Sequence, residues 1–334
     1  MGSIARSRNE AFVIRYCMMT ALAAACLAAP LAEGQARAVK SAAYVPPRTP
    51  DGQPDIQGVW NNATITPLER PADLAAKAFF TPVEAAAYEK TWLEQNNRDR
   101  RAGEGASDVA GAYNQAWFDR GTKVVPTLRT SLIVDPPDGK IPYSAGGQKR
   151  LDAAAEYARL HPADGPEDLA LADRCILWYT AGPPMLPGPY NSNYQILQAP
   201  GYVAILVEMI HDVRIIPLDR RPHLPGSVRQ WLGDSRGHWE GNTLVVETTN
   251  FTGKSRFHGA TENMRLIERF TRTDANTLTY DFTVEDPATF SKPWSASIPM
   301  TKSSGPIYEY ACHEGNYAVP GILGGARAQE AATK

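Results

Sequence analysis

Glu208 and Glu268 are the residues of this chain whose setting could support chemistry. Each interrupts an apolar, strand-like run, A-I-L-V-E-M-I for the first and R-L-I-E-R-F for the second. Side chains alternate across a strand, so Glu208 is expected on one face with Tyr202, Ala204 and Leu206. Glu268 is expected with Leu266 and Phe270. A carboxylate on an apolar face needs a partner or a raised pKa. Two of them facing one cavity would titrate apart, one donating a proton and the other accepting it, which is general acid–base catalysis. Arg214 would then hold an anionic oxygen, and His223 would carry protons near neutral pH, with His211 as a second candidate. Tyr190, Asn191 and Asn250 lie at expected strand ends, where they would position a substrate. The same pattern also fits buried, ion-paired glutamates that fix strand register.

Other chemistries leave no trace. The chain has no G-x-S-x-G elbow, P-loop, G-x-G-x-x-G after a strand or H-E-x-x-H. None of the six histidines has a partner four residues away, so a metal site would have to be assembled from distant loops; the chain is read as having no metal and no organic cofactor. A net charge of −2 gives no basic surface for nucleic acid.

The elements that must hold these residues can be read in order. Arg6, Arg8 and Arg15 precede an apolar run from Tyr16 to Ala29, and Ala36-Arg37-Ala38 offers a cleavage site. Residues 1–38 therefore read as a secretory leader, and the mature chain as periplasmic or secreted, with no membrane contact once the leader is cut. Loss of the leader leaves Cys175 and Cys312, and two cysteines in an exported chain imply one disulfide.

Residues 39–189 read as an extended arm and helices laid over the rest, with Ile56, Val59 and Trp60 as apolar anchors. Thr81-Pro82-Val83-Glu84 is a capping box opening a helix to about Arg100. A second helix is expected over Ala145–Leu160, and a third from Pro166 to near Cys175. Ala110–Arg120 reads as a tyrosine- and tryptophan-bearing loop or short helix, and Leu128–Val134 as a strand.

From residue 190 to 327 the chain reads as almost entirely β. Asn193–Gln198, Tyr202–Ile210 and Val213–Leu218 form a meander with short turns. Hairpins follow around Glu240-Gly241-Asn242 and Asp274-Ala275-Asn276, and Trp294–Thr301 and Ile307–Cys312 close the series. Residues 328–334 read as a disordered tail. About eight or nine antiparallel strands in sequence favour an up-and-down barrel, since closure removes exposed edges.

The motifs R-P-H-L-P, W-L-G-D-S-R-G-H-W-E-G-N-T-L-V-V-E-T-T-N-F, E-R-F-T-R, E-D-P-A-T-F-S-K-P-W and Y-E-Y-A-C-H-E-G-N carry a resemblance. Over about residues 48–327 the chain resembles a large group of exported, mostly hypothetical bacterial proteins. Their shape is similar to a lipocalin-like β-barrel, which implies the same fold and export here and assigns no catalytic residue. The expectation is thus a mainly β, lipocalin-like barrel with a few helices packed on it. Its expected function is cofactor-free lyase, dehydratase or isomerase chemistry on a small, largely apolar, aromatic or cyclic molecule. The alternatives are a carrier of such a molecule and a non-catalytic envelope module whose interior is filled by its own side chains.

Overall fold

Alternating burial along Thr277–Glu285 sets the pattern for the whole molecule. Leu278, Tyr280, Phe282 and Val284 are buried while the residues between them are partly exposed. The computed structural model describes residues 44–99, 114–255 and 257–333. The expected leader lies outside the described residues, as does part of the expected aromatic loop from Ala110. Ten strands form one antiparallel sheet: β1 Gly58–Asn61, β2 Ile133–Asp135, β3 Asn193–Ala199, β4 Tyr202–Val207, β5 Val213–Pro217, β6 Asp234–Glu240, β7 Thr243–Thr249, β8 Arg265–Arg272, β9 Thr277–Glu285 and β10 Trp294–Lys302. Nine of them run in the order β5-β4-β3-β1-β10-β9-β8-β7-β6, and β2 pairs with the start of β10. The ends of that series, β5 and β6, face each other without a backbone ladder, so the barrel is nearly closed along one seam.

The arm is part of the barrel wall. β1 pairs with β3 on one side and β10 on the other, and Trp60 is fully buried. Without β1, the β3–β5 meander would have no ladder joining it to the β6–β10 meander. The interior is filled: Trp60, Tyr194, Phe270, Tyr280, Phe282 and Trp294 are all at most 2% exposed. The expected open lumen is therefore a packed core.

Among the described residues three α-helices accompany the barrel: α1 Pro82–Gln95, α2 Ala145–Leu160 and α3 Ala318–Ala332. The capping box forms as read, Thr81 Oγ1 accepting from the Glu84 amide. α1 stops short of Arg100 because Asn96 caps it, its amide side chain donating to the Trp92 carbonyl. α2 matches its expected span, and its start docks on the β9–β10 turn, where Gly147 leaves no room for a Cβ beside the Thr289 carbonyl.

Other expectations need correction. The third helix reduces to a turn at Pro166–Asp168, closed by Asp168 accepting from the Gly165 amide. Ile307–Cys312 is not a strand, because its polar backbone groups meet side chains instead of a ladder. The barrel strands end at Lys302, and the expected tail from 328 belongs to α3, an Ala-rich helix whose Arg327 donates to the Ala163 and Asp164 carbonyls.

Candidate functional site

The strand carrying Glu208 ends one residue before it. β4 buries Val203, Ile205 and Val207 and turns Tyr202, Ala204 and Leu206 outward. Both sets are apolar, so alternation alone could not choose the inner one. Glu208 itself is helical in backbone and begins the turn Met209–His211. Its carboxylate is 2% exposed and fully engaged. It accepts from the Asn193 amide at 3.2 Å and side chain at 2.8 Å, and from the Tyr308 amide at 3.1 Å. Burial, and then the charge of Glu208, raises the pKa of neighbouring Asp119. His211 holds the same 307–312 segment, Nδ1 lying 2.9 Å from the Tyr310 carbonyl.

Glu268 faces inward as expected, but toward Arg214 and not toward Glu208. Arg214 reaches from β5 across the seam and donates to both carboxylate oxygens, at 3.0 and 2.6 Å. It also donates to Ser235 on β6 at 3.2 Å. Burial opposes the Arg214 charge, yet the adjacent Glu268 carboxylate outweighs it and raises the pKa. Tyr280 donates to Glu268 at 2.8 Å, and burial, reinforced by Glu268, holds its phenol well above the usual range. Both members of the ion pair are at most 2% exposed by side chain, although Arg214 borders a surface groove that it shares with Arg229, Trp231 and Ser235. The pair clasps the barrel where backbone bonds are missing.

The remaining expected residues are dispersed. His223 bridges two carboxylates, Asp234 at 3.0 Å and Glu247 at 3.2 Å, on the loop joining β5 to β6. Asn250, in the left-handed backbone region, donates to the Leu224 carbonyl at 2.8 Å and pins that same loop. Tyr190 packs its ring 6.0 Å from Trp178 and 6.4 Å from Phe118. Asn191 borders a shallow, polar depression beside Cys312 and Trp178.

A cleft at one end of the barrel is the better candidate. One wall is the segment after Cys175, contributing Leu177, Trp178, Tyr179, Gly182, Pro183, Pro184 and Leu186. The Cys175–Cys312 disulfide, with Cα atoms 5.8 Å apart, anchors that wall. The wall is also tied to the core, where Met185 donates its amide to Tyr280 Oη at 3.1 Å and Thr180 accepts from Tyr194 Oη at 3.1 Å. A continuous chain of bonds thus runs from the wall through Tyr280 and Glu268 to Arg214 at the seam.

The opposite wall is Trp231, Phe251, Ser255, Phe257, His258 and Met264. His258 has φ 47°, rare for a side chain with a Cβ. Its ring stands edge-on to Phe257 and Trp294, with centroids 4.7 and 6.3 Å away. Leu151 of α2 presses on the following residue, and Gly259 at φ 76° is what lets it approach. Burial lowers the His258 pKa, partly offset by Glu69, so the imidazole is held neutral. Among the described residues neither of its ring nitrogens has a hydrogen-bond partner. The sequence reading missed His258 because F-H-G resembles an ordinary turn; the surrounding aromatic density was the available signal.

Among the described residues no cluster of three His, Cys, Asp or Glu side chains is arranged to hold a metal ion. No protein-family model, curated protein or solved structure matches the chain.

Proposed function

We propose that the protein is an exported binding barrel for a small, largely apolar, aromatic or cyclic molecule, seated in the end cleft. The observation that carries this reading is the cleft itself: aromatic and aliphatic walls around an unpartnered imidazole, tied to the core by the Met185–Tyr280 and Thr180–Tyr194 bonds. An apolar pocket with few polar groups on a rigid scaffold is the usual form of a small-molecule site. Export is favoured by the disulfide, and among the described residues no helix is long and apolar enough to cross a membrane.

A second reading, proton transfer on the bound molecule, is favoured by one feature. His258 is neutral and has no hydrogen-bond partner among the described residues, as suits a general base, and its left-handed backbone is of the kind that clusters at functional sites. Mass spectrometry of the natively extracted protein tests the first reading, with a co-purified cyclic or aromatic compound expected. Incubating that compound with the protein separates the two readings: unaltered recovery means carriage, and conversion abolished by His258→Asn means catalysis.

A further inference from the structure

We infer that the end cleft selects an uncharged, single-ring aromatic bearing a hydroxyl group, which donates to His258. This rests on the binding reading above and narrows its ligand class. Size is the first argument. The cleft holds about 180 Å³, against roughly 150 Å³ for an apolar cavity that takes up one benzene ring. A single six-membered ring matches that volume more closely than a fused bicycle does.

Charge is the second argument. Among the described lining residues no lysine, arginine, aspartate or glutamate faces the space. An anionic ring such as a benzoate would lose its hydration and meet no cation among the described lining residues, an uncompensated cost. His258 does not provide one, because burial keeps its imidazole neutral.

Hydrogen-bond accounting is the third argument. Ser255 already donates its hydroxyl to the Thr252 carbonyl at 2.9 Å. The Trp178 indole N–H is unpartnered but closed off by surrounding atoms. A neutral imidazole offers one acceptor nitrogen and one donor. His258 supplies an acceptor nitrogen that has no partner among the described residues and is flanked by aromatic rings, and a ligand hydroxyl is its complement. A phenol combines the ring that fits the walls with the donor that satisfies the imidazole.

The experiment is a ligand-observed saturation-transfer NMR titration of the disulfide-intact protein at about pH 7.5. Four probes are compared: phenol, toluene, benzoate and 2-naphthol. Phenol is expected to bind tightest, with toluene roughly tenfold weaker for want of the hydrogen bond, and benzoate and 2-naphthol weaker still. In His258→Asn, a residue that tolerates the left-handed backbone, the ratio of phenol to toluene affinity should fall toward one, both probes being compared within the variant. The toluene value also reports that the variant retains its cleft. Benzoate or 2-naphthol binding as well as phenol would overturn the inference and leave the aromatic-binding reading standing. So would phenol affinity that is indifferent to His258→Asn. If none of the four probes binds, the cleft is not a ligand site and the binding reading falls with it.

Discussion

At the scale of single residues, the Arg214–Glu268 pair does the work that a backbone ladder does elsewhere in the barrel. Two charges at most 2% exposed are costly to bury and tolerable only together. Glu268→Gln should therefore destabilise the protein by about 3–5 kcal/mol, because it leaves Arg214 charged and unpaired. Replacing both with apolar residues, Arg214→Met with Glu268→Leu, should recover most of that loss. Urea denaturation of both variants checks this, and equal losses in the single and double variants would refute the clasp. His258 has the opposite character. Its folded-state pKa lies below the ordinary value near 6.5, so as pH falls through that value the unfolded chain takes up a proton that the folded chain refuses. Stability should fall on acidification below about pH 7 and be fully present above it. Glu69 is the carboxylate that moderates this. The wild-type melting temperature should thus drop more than that of His258→Asn between about pH 7.5 and 5.5. Parallel curves for the two proteins would count against a neutral, buried imidazole.

At the scale of elements, β1 and the disulfide carry the most weight. β1 is four residues long, yet among the described residues it alone carries the backbone ladders that join the two meanders. A fragment beginning near Tyr190 would lack Trp60 and two whole strands, β1 and β2. Limited proteolysis should accordingly release no stable fragment with that start, and a folded one, seen by its circular dichroism and cooperative melting, would contradict the topology. The Cys175–Cys312 bond spans a separation of 137 residues. In the chain-entropy account, closing so long a loop contributes about 4–5 kcal/mol. Cys175→Ser with Cys312→Ser should lose that amount in denaturant, and should also loosen the Leu177–Leu186 wall enough to weaken ligand binding. Unchanged denaturation midpoints would mean that the contacts around the bond hold the wall without it.

At the scale of the whole molecule, the filled barrel is why the proposed site is at the rim and not in the lumen. Large inward side chains on β1, β3, β8, β9 and β10 meet at the axis and leave the end as the place where apolar surface stays accessible. The chain of bonds from Met185 through Tyr280 and Glu268 to Arg214 then couples that rim to the seam. Tyr280→Phe breaks the chain at its centre and keeps the ring. It should cost about 1–3 kcal/mol in stability and weaken ligand binding at the cleft, although Tyr280 does not line it. Calorimetric melting and a ligand titration read the two effects separately, and an unchanged cleft affinity would show that the wall is held by other contacts.

Much of the fold is written locally. Period-two burial in L-T-Y-D-F-T-V, the T-P-V-E capping box, the Glu240-Gly241-Asn242 turn and the cysteine pair each depend on neighbours along the chain or on simple counting. What the sequence could not decide are choices between locally equivalent states. Y-V-A-I-L-V is apolar on both faces, so only packing against the filled core selected Val203, Ile205 and Val207 as inner. Glu268 was rightly placed inward, but its partner Arg214 lies 54 residues away on the far edge of the sheet. The role of β1 depends on two strands that come 132 or more residues later. The end cleft joins Trp178, Trp231 and His258 from three separate loops, and no spacing rule connects them. Local patterning fixes element type, whereas register partners, the inner face of a two-sided strand and a site built from loops are settled by long-range packing alone.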